Sequence, residues 1–529
     1  MLLAEDQASI FEATMTASVP GPRTPVLIGG GQKTYRKGST PCPRAMVLEA
    51  VTLAVADAGI PLSALAQADT VNVVGFTIDS PGAAKRLKVP RMANPPAALA
   101  EDLGSKPRVA LYTCMGGNTP QALVNLSCER IARGEADLVV LAGAEFLGSL
   151  MKKLAAGEDL ASFGGGPDTS PEVWGDPREG CTPQEDAHGI SFPANTYPMF
   201  ENALRAKLGR SLDAHQTAMG RLFARFNAVA QHNPDAWFPK ARTAEEIATE
   251  GPDNRMVGFP YTKYLNAIIQ VDQSAAVILA STAKADELGV AADKRVYLHG
   301  CSDASEVWNP IDRADLAASP AIRLCGQKAF AMAGKTVADM ALLDIYSCFP
   351  SAVEIACAEL GIGADDPRPL TVTGGLPYFG GPGNNYVMHS IVSMLRGLRG
   401  KPGQFGLVTA NGWYLTKHAV GIYSTTPPSQ PFEREVPKTY QKQIDALPRP
   451  EIAWEPSGPA TIETYTVVHG RDGPRMGIVF GRDASGRRFI ANTPTDEKTL
   501  LDLQSREGVG RPGAVHSSDG GMKNVFFPG

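Results

Sequence analysis

The stretch ALYTCMGGNTPQAL, residues 110–123, places one cysteine between an apolar run and a glycine pair that leads into a helix. The preceding RVALYTC reads as a strand. After the glycines, Thr119 suits a helix N-cap and Pro120 the first helical position; Val124, Cys128 and Ile131 share a face, and Gly134 ends the helix. A short strand that turns through glycine into a helix is the repeating unit of an α/β layered fold. Cys114 at that junction has two readings. Free N–H groups at a helix start stabilise a thiolate or an oxyanion, which makes a nucleophile of the thiol. Cysteine is also among the most buried residue types and packs as a small hydrophobe.

Outward from this stretch the same rhythm continues. TPVLIGGG, TVNVVGFTI, ADLVVLAGAE and SAAVILAST are apolar runs, and AMVLEAVTLAVADAGI is a helical one between them. Residues 148–265 break the rhythm with loop-like FGGGPDTSPEVWGDPREGCTPQ and helical HQTAMGRLFARFNAVAQ, an insertion expected to cover something. Near residue 425 the composition turns proline-rich and polar in STTPPSQPFEREVP, as linkers do. Beyond it, IETYTVVHG and RMGIVFGRDASGRRFIANT alternate about a DASG turn, the pattern of a small antiparallel β module. The expected division is an N-terminal extension over 1–23, a first half over 24–290 that includes the insertion, a second half over 291–425, a linker over 426–455 and a β module over 456–529. RVALYTCMGGNTPQALVNLSCERI is echoed in MALLDIYSCFPSAVEIACAELGI, and a duplication would set Tyr112-Thr113-Cys114 and Tyr346-Ser347-Cys348 at equivalent strand ends.

At 529 residues the chain exceeds what one core organises, so more than one domain is expected. A net charge of −5 with no long basic run argues against a nucleic-acid partner. The eight cysteines form no CxxC pair, which fits reduced thiols and a cytoplasmic location. MLLAEDQASIFEATM carries acidic residues where a secretory leader begins basic, and no run reaches the eighteen apolar residues of a membrane span.

Open α/β sheets bind ligands at the carboxyl ends of their strands. Four segments belong to that edge: Cys114 with Gly116 and Gly117; YSCFPSA at 346–352; TGGLPYFGGPGNNYVMHS at 373–390; and TANGWYLTKHAVGIYS at 409–424. The third is a glycine-rich loop that lets backbone approach a ligand, with Gly380, Gly381, Asn384, Asn385, Tyr386 and His389 as candidate contacts. The fourth offers Asn411, Lys417 and His418 as acid, base or phosphate partners. LIGGGQ lacks the dinucleotide spacing, GGGQKT is not a phosphate loop, there is no GxSxG elbow, and His299 with Cys301 is too sparse for zinc, so no metal site is expected.

Residues 24–425, with these motifs, resemble the thiolase superfamily, and the long chain with its extra β module resembles the type 1 thiolase-like proteins. That resemblance implies a five-layered α/β fold of two similar βαβαβαββ halves plus an OB-like C-terminal domain. It puts Cys114 at the family's nucleophile position, with CMGG standing where Cys-x-Ser-Gly is usual. The remaining motifs diverge. YSCF replaces Asn-Glu-Ala-Phe or His-Asp-Cys-Phe, so Tyr346 takes the amide or imidazole place; Gly381 in GGP replaces the histidine of Gly-His-Pro; Asn411 or a neighbour replaces the second cysteine. The implied function is acyl transfer from a coenzyme A thioester, with no bound cofactor, no nucleic acid, and a monomer or homodimer as the assembly. Cys114, Tyr346, Asn411 and His418 are the implied catalytic residues. Gly116, Gly117, Gly380, Gly381, Asn384, Asn385, Tyr386, His389 and Lys417 are the implied substrate contacts. Two other functions stand beside it: a lyase cleaving a coenzyme A thioester by retro-aldol chemistry, with Tyr346, Tyr386 or Tyr414 as acid or base, and a non-catalytic binder of coenzyme A or lipid.

Overall fold

The computed structural model describes residues 20–36 and 40–529. The N-terminal extension expected over 1–23, and the reading of its first residues as unlike a leader, therefore fall outside the described residues up to position 19.

The first sheet is built from β1 (Pro25–Thr34), β2 (Thr70–Val73), β3 (Leu111–Thr113), β4 (Leu138–Phe146) and β5 (Glu172–Trp174), and is completed after two strands of the insertion, β6 (Met256–Gly258) and β7 (Tyr261–Thr262), by β8 (Asp272–Ser281). Its order is β1-β8-β4-β2-β3-β5. The second sheet holds β9 (Tyr297–Ser305), β10 (Met340–Asp344), β11 (Phe405–Gly412) and β12 (Lys417–Ser424) in the order β10-β11-β12-β9. β8 runs antiparallel to both β1 and β4, and β4 parallel to β2; β12 runs antiparallel to both β9 and β11, and β11 parallel to β10. The two halves thus repeat one topology.

Helix α1 (Pro43–Ala58) covers the outer face of the first sheet. Helix α2 (Thr119–Ala132) is sandwiched between the sheets, and this explains its composition: nearly every residue from Thr119 to Cys128 is buried, a helix with no solvent face. Its polar side chains are satisfied internally, with Gln121 donating to Asn125 and accepting from the Tyr423 hydroxyl. In the insertion, α3 (Pro193–Lys207) and α4 (Leu212–Ala230) lie beside the second half, where α5 (Pro320–Ala333) and α6 (Pro350–Leu360) follow. α5 covers the outer face of the second sheet, and α7 (Tyr386–Arg399) joins α2 in the central layer. Helix, sheet, paired helices, sheet and helix make five layers. No helix among the described residues is long and apolar enough to cross a membrane.

The sequence echo does not mark equivalent positions. β3 pairs with β2 one place out from β4, whereas β10 pairs directly with β11 and so occupies the place of β2. Tyr346-Ser347-Cys348 therefore follows the second strand of its half, and Cys114 follows the third of its own. Strand, small residues and helix recur at every βα turn, so a short match of that kind does not set register.

After β12 the chain is not a free linker. Helix α8 (Pro437–Asp445) docks on β9, where the Tyr440 hydroxyl donates to Asp303 O and Gln441 pairs with the Ser305 backbone. β13 (Gly458–His469), β14 (Pro474–Asp483), β15 (Arg488–Asn492), β16 (Pro512–His516) and β17 (Val525–Pro528) then form a sheet ordered β14-β15-β17-β16-β13 that closes through a β13–β14 pairing. This is a small OB-like barrel with no free edge. β6 and β7 extend it from β13, so the insertion and the C-terminal module share one sheet.

Candidate active site

β3 ends at Thr113, and the Cys114 N–H donates to Trp174 O of β5, so the thiol emerges at the carboxyl end of the strand as expected. The chain then turns through Gly116 and Gly117, and Asn118, rather than Thr119, is the helix cap residue; the Thr119 hydroxyl instead donates to Gly116 O. Close approach requires both glycines. A Cβ on Gly117 would lie 2.5 Å from the Tyr346 hydroxyl and 2.6 Å from Asn411 O, and one on Gly116 would lie 3.3 Å from Lys417 Nζ. Five of the sequence candidates, Gly116, Gly117, Tyr346, Asn411 and Lys417, are therefore gathered beside Cys114. Asn384 joins them, accepting from Gly116 N–H at 2.9 Å and donating to Gly75 O at 2.7 Å.

Cys114 is partly exposed and its sulfur makes no hydrogen bond among the described residues. Burial pushes its pKa above the ordinary thiol value, as does Asp176, while Lys417 pulls it down. Lys417 Nζ donates to Met115 O at 2.5 Å and Asp176 O at 3.3 Å, and burial lowers its pKa to about 8. The N–H groups of Gly117 and Asn118 donate to no acceptor among the described residues, which leaves them available to an oxyanion. The Tyr346 hydroxyl is likewise without a partner, and burial holds its pKa far above the usual phenol value. Asn411 donates to the Tyr197 hydroxyl at 2.8 Å and leaves its carbonyl oxygen unpaired although the residue is 4% exposed.

Other candidates lie elsewhere. Strand alternation sends the neighbours Lys417 and His418 to opposite faces of β12. His418 is buried, holds Leu415 O at 3.0 Å and has its pKa lowered by burial to about 4. His389 is fully buried against Phe379, pairs with Gln32 on β1 and is lowered by burial to about 3. Neither ring bonds to Cys114: His389 Nε2 is enclosed and unpaired, and His418 lines a small cavity with Tyr346 and Asn411. Gly380 packs on Gln273, and Gly381 donates to Ile268 O beside Ala267, with 3.2 Å between a hypothetical Cβ and that oxygen. Asn385 is buried against Gly143 with both amide atoms unpaired. Tyr386 stands edge-on behind the Tyr346 ring at 5.6 Å, and its hydroxyl shares a hydrogen bond with that of Thr373.

Sequence reasoning missed Tyr197 and Glu145, whereas the roof over the thiol falls within the insertion expected to cover something and Trp413 within the fourth candidate segment. Tyr197 of α3 accepts from Asn411 and Leu415 N–H and donates to Trp413 O. Residues 174–180 roof the thiol: a Cβ on Gly175 would sit 4.0 Å from Cys114 Sγ, and Gly180 packs on Trp413. Trp413 and Leu415 hold positive φ angles of 54° and 53°, left-handed backbone at a site-forming turn. Glu145, fully buried on β4, accepts from Thr77 N–H and hydroxyl through Oε1 and leaves Oε2 unpaired, and burial raises its pKa to about 7.

A second cluster sits a turn below, where α3, α4 and α6 meet. His215 Nε2 lies 2.5 Å from Glu201 and 3.9 Å from Glu354. Arg210 faces His215 Nδ1 and Glu354, and the Tyr261 hydroxyl donates to Glu201. The arrangement fits a proton better than a metal ion. Arg210 donates to Nδ1, which leaves Nε2 carrying its hydrogen toward Glu201, and a 2.5 Å separation is hydrogen-bonding distance. Burial raises both carboxyls, Glu354 to about 8, and lowers His215 to about 4.

Two similar α/β halves around a central helix pair, with a cysteine between the third strand and its helix, define a protein of the thiolase superfamily. The chain belongs, within it, to the type 1 thiolase-like proteins with an additional C-terminal domain. Residues 439–520 match the family described as thiolase-like protein type 1 additional C-terminal domain. A monomeric SCP2-thiolase like protein type 1 from Mycobacterium smegmatis is 34% identical, with a TM-score of 0.81, over 96% of this chain and 99% of that one. The dimeric peroxisomal thiolase of Saccharomyces cerevisiae shares the fold at 14% identity and a TM-score of 0.52, over 77% of this chain and 98% of that one. An acetyl-CoA acetyltransferase of Methanothermobacter thermautotrophicus is 27% identical over 231 residues, 44% of this chain and 52% of that relative, so the match spans about half of its length.

Proposed function

We propose that this protein is an acyl-CoA acyltransferase of the thiolase type in which Cys114 carries the acyl group as a thioester. The observation that carries this reading is a partly exposed thiol with no bonding partner at the start of α2, beside the unpaired N–H groups of Gly117 and Asn118. Sulfur attack on a thioester carbonyl puts negative charge on its oxygen, and fixed backbone donors stabilise that charge without reorganising. Asn384 supports this role by holding Gly116 in place. The resemblance puts Gly381 in place of the family's histidine, and no imidazole bonds to Cys114 among the described residues, so transfer of the acyl group without Claisen condensation is the reading we favour.

Intact-protein mass spectrometry with a panel of acyl-CoAs tests the reading. The protein is expected to gain the mass of the acyl group, and Cys114→Ala to gain nothing. Coenzyme A binding without any adduct would instead leave a non-catalytic binder. A second reading rests on Tyr346, whose unpaired hydroxyl beside Gly117 suits an acid or base in retro-aldol cleavage. Cleavage of β-hydroxyacyl-CoA that Tyr346→Phe abolishes would select it.

A further inference from the structure

We propose that Lys417 is the proton acceptor that activates Cys114, taking the part for which this site has no histidine; the proposal rests on reading Cys114 as the acyl carrier.

Position comes first. Lys417 opens β12 opposite Gly412, and its amine lies over the glycine turn, donating to Met115 O, the residue after the cysteine, and to Asp176 O of the roof. The Trp308 ring lies 5.8 Å away and helps to keep this amine from bulk water. Two nitrogen hydrogens are thus engaged by backbone carbonyls, and the third position carries either a lone pair or a proton. A neutral amine can take the thiol proton; an ammonium can face the thiolate. Burial is the main cause that lowers its pKa, to about 8, so the neutral form is within reach near neutral pH.

The charged groups around the pair are few. Cys114, Asp176 and Arg178 act on Lys417, and Lys417 and Asp176 act on Cys114. Asp176 is a poor rival base, since Arg178 grips its carboxylate at 2.7–3.1 Å and holds it below the ordinary range. Arg178 in turn stacks 3.8 Å from the Trp308 ring. His418 stays on the other face of the strand, bonded to Leu415 O.

The step balances within the site. The Cys114 S–H bond breaks and its proton passes to Lys417 Nζ through one bridging water, since sulfur and amine share no hydrogen bond, while the sulfur forms a bond to the thioester carbonyl carbon. The tetrahedral oxyanion collapses, the carbon–sulfur bond to coenzyme A breaks, and the leaving thiolate takes the proton back from Lys417. Acyl-Cys114, free coenzyme A and neutral Lys417 result.

The test follows Cys114 alkylation by iodoacetamide from pH 6 to 10, read on its peptide by mass spectrometry, together with acylation by acetyl-CoA. Wild type is expected to gain alkylation rate through pH about 8, as the pair loses its first proton. Lys417→Met should lose that inflection and slow at pH 7.5 by about 10- to 10³-fold, the range for removing an adjacent opposite charge. Lys417→Arg keeps a cation that cannot accept a proton. It should lose the inflection near 8 and alkylate only as the thiol itself ionises at higher pH, because burial keeps Cys114 above its ordinary value even beside a cation, and it decides the matter if the methionine variant does not fold. Identical profiles in wild type and Lys417→Met, or a wild-type inflection retained in Lys417→Arg, overturn the proposal. Lys417-dependent alkylation without acylation by any acyl-CoA would keep the pair and remove the acyl-carrier reading instead.

Discussion

Glu145 shows how a single buried residue holds the site. Its Oε1 accepts from Thr77 N–H and hydroxyl and lies against Gly383, the residue before Asn384, whose side chain holds Gly116. A side chain on Gly383 has no room here, because its Cβ would lie within 2.3 Å of Glu145 Oε1. Burial raises the folded pKa of Glu145 from 4.5 to about 7. The unfolded chain thus releases this proton at lower pH than the folded one. The stability it contributes is full below the unfolded value and is lost as pH rises through about 7. In Glu145→Gln the amide oxygen keeps the Thr77 bonds and nothing titrates, although a buried NH2 without an acceptor costs about 1–3 kcal/mol. Thermal melts at pH 5 and 8 are expected to show a steeper loss with pH in wild type than in the variant; parallel slopes would refute this. Cys114, Gly116, Gly117 and the glycine-rich loop were legible in sequence because turns need such residues. Glu145 and Tyr197 were not, because one sits inside an ordinary apolar strand and the other in a helix far along the chain.

Among elements, α2 and β8 were the most legible, since caps and long apolar runs are local signals. The misread echo at Tyr346 shows the limit: strand pairing, not local pattern, sets which βα turns are equivalent. Helix α6 is joined to the insertion by the Glu201, His215 and Glu354 cluster, with Ser351 also bonded to Tyr261. Burial, aided by Glu201, raises Glu354 to about 8, so the bond it makes when protonated is present at low pH and lost as pH rises through that value. Hydrogen-exchange protection factors, which remove the intrinsic rise of exchange with pH, are expected at pH 6 and 9 to show α3, α4 and α6 loosening at the higher pH in wild type and staying closed in Glu354→Gln, which keeps an acceptor for Arg210 and a donor for Glu201. Equal exchange at both pH values in wild type would rule this out.

On the scale of the whole molecule, the C-terminal barrel is tied to the second α/β half by buried polar contacts. Arg488, with no exposed surface, donates to Ile311 O and Arg313 O and pairs with Glu463; Arg313 in turn donates to Tyr414 O and Thr416 in the turn that carries Asn411 and Lys417. Arg488→Met leaves Glu463 to Arg482 alone and takes the donor from the Ile311 and Arg313 carbonyls, and unmaking buried hydrogen bonds of this kind costs about 1–3 kcal/mol. Its melting temperature should fall, and proteolysis should cut between barrel and core at temperatures that wild type withstands. A variant as stable and protease-resistant as wild type would show the contact to be dispensable.

The local pattern of residues by itself determined the alternating α/β rhythm, the central buried helix, the β module and the cysteine at a strand end, because periodicity, glycine turns and helix caps act over a few residues. The tertiary structure alone decided the rest. It separated Lys417 from His418 by strand pleat, closed the barrel and shared its sheet with the insertion, and bound the His389 and His418 rings to Gln32 and to Leu415 O rather than to Cys114. Those outcomes depend on pairings between residues up to hundreds of positions apart, and burial, which sets whether each amine, imidazole or carboxyl carries its charge, exists only after those pairings form.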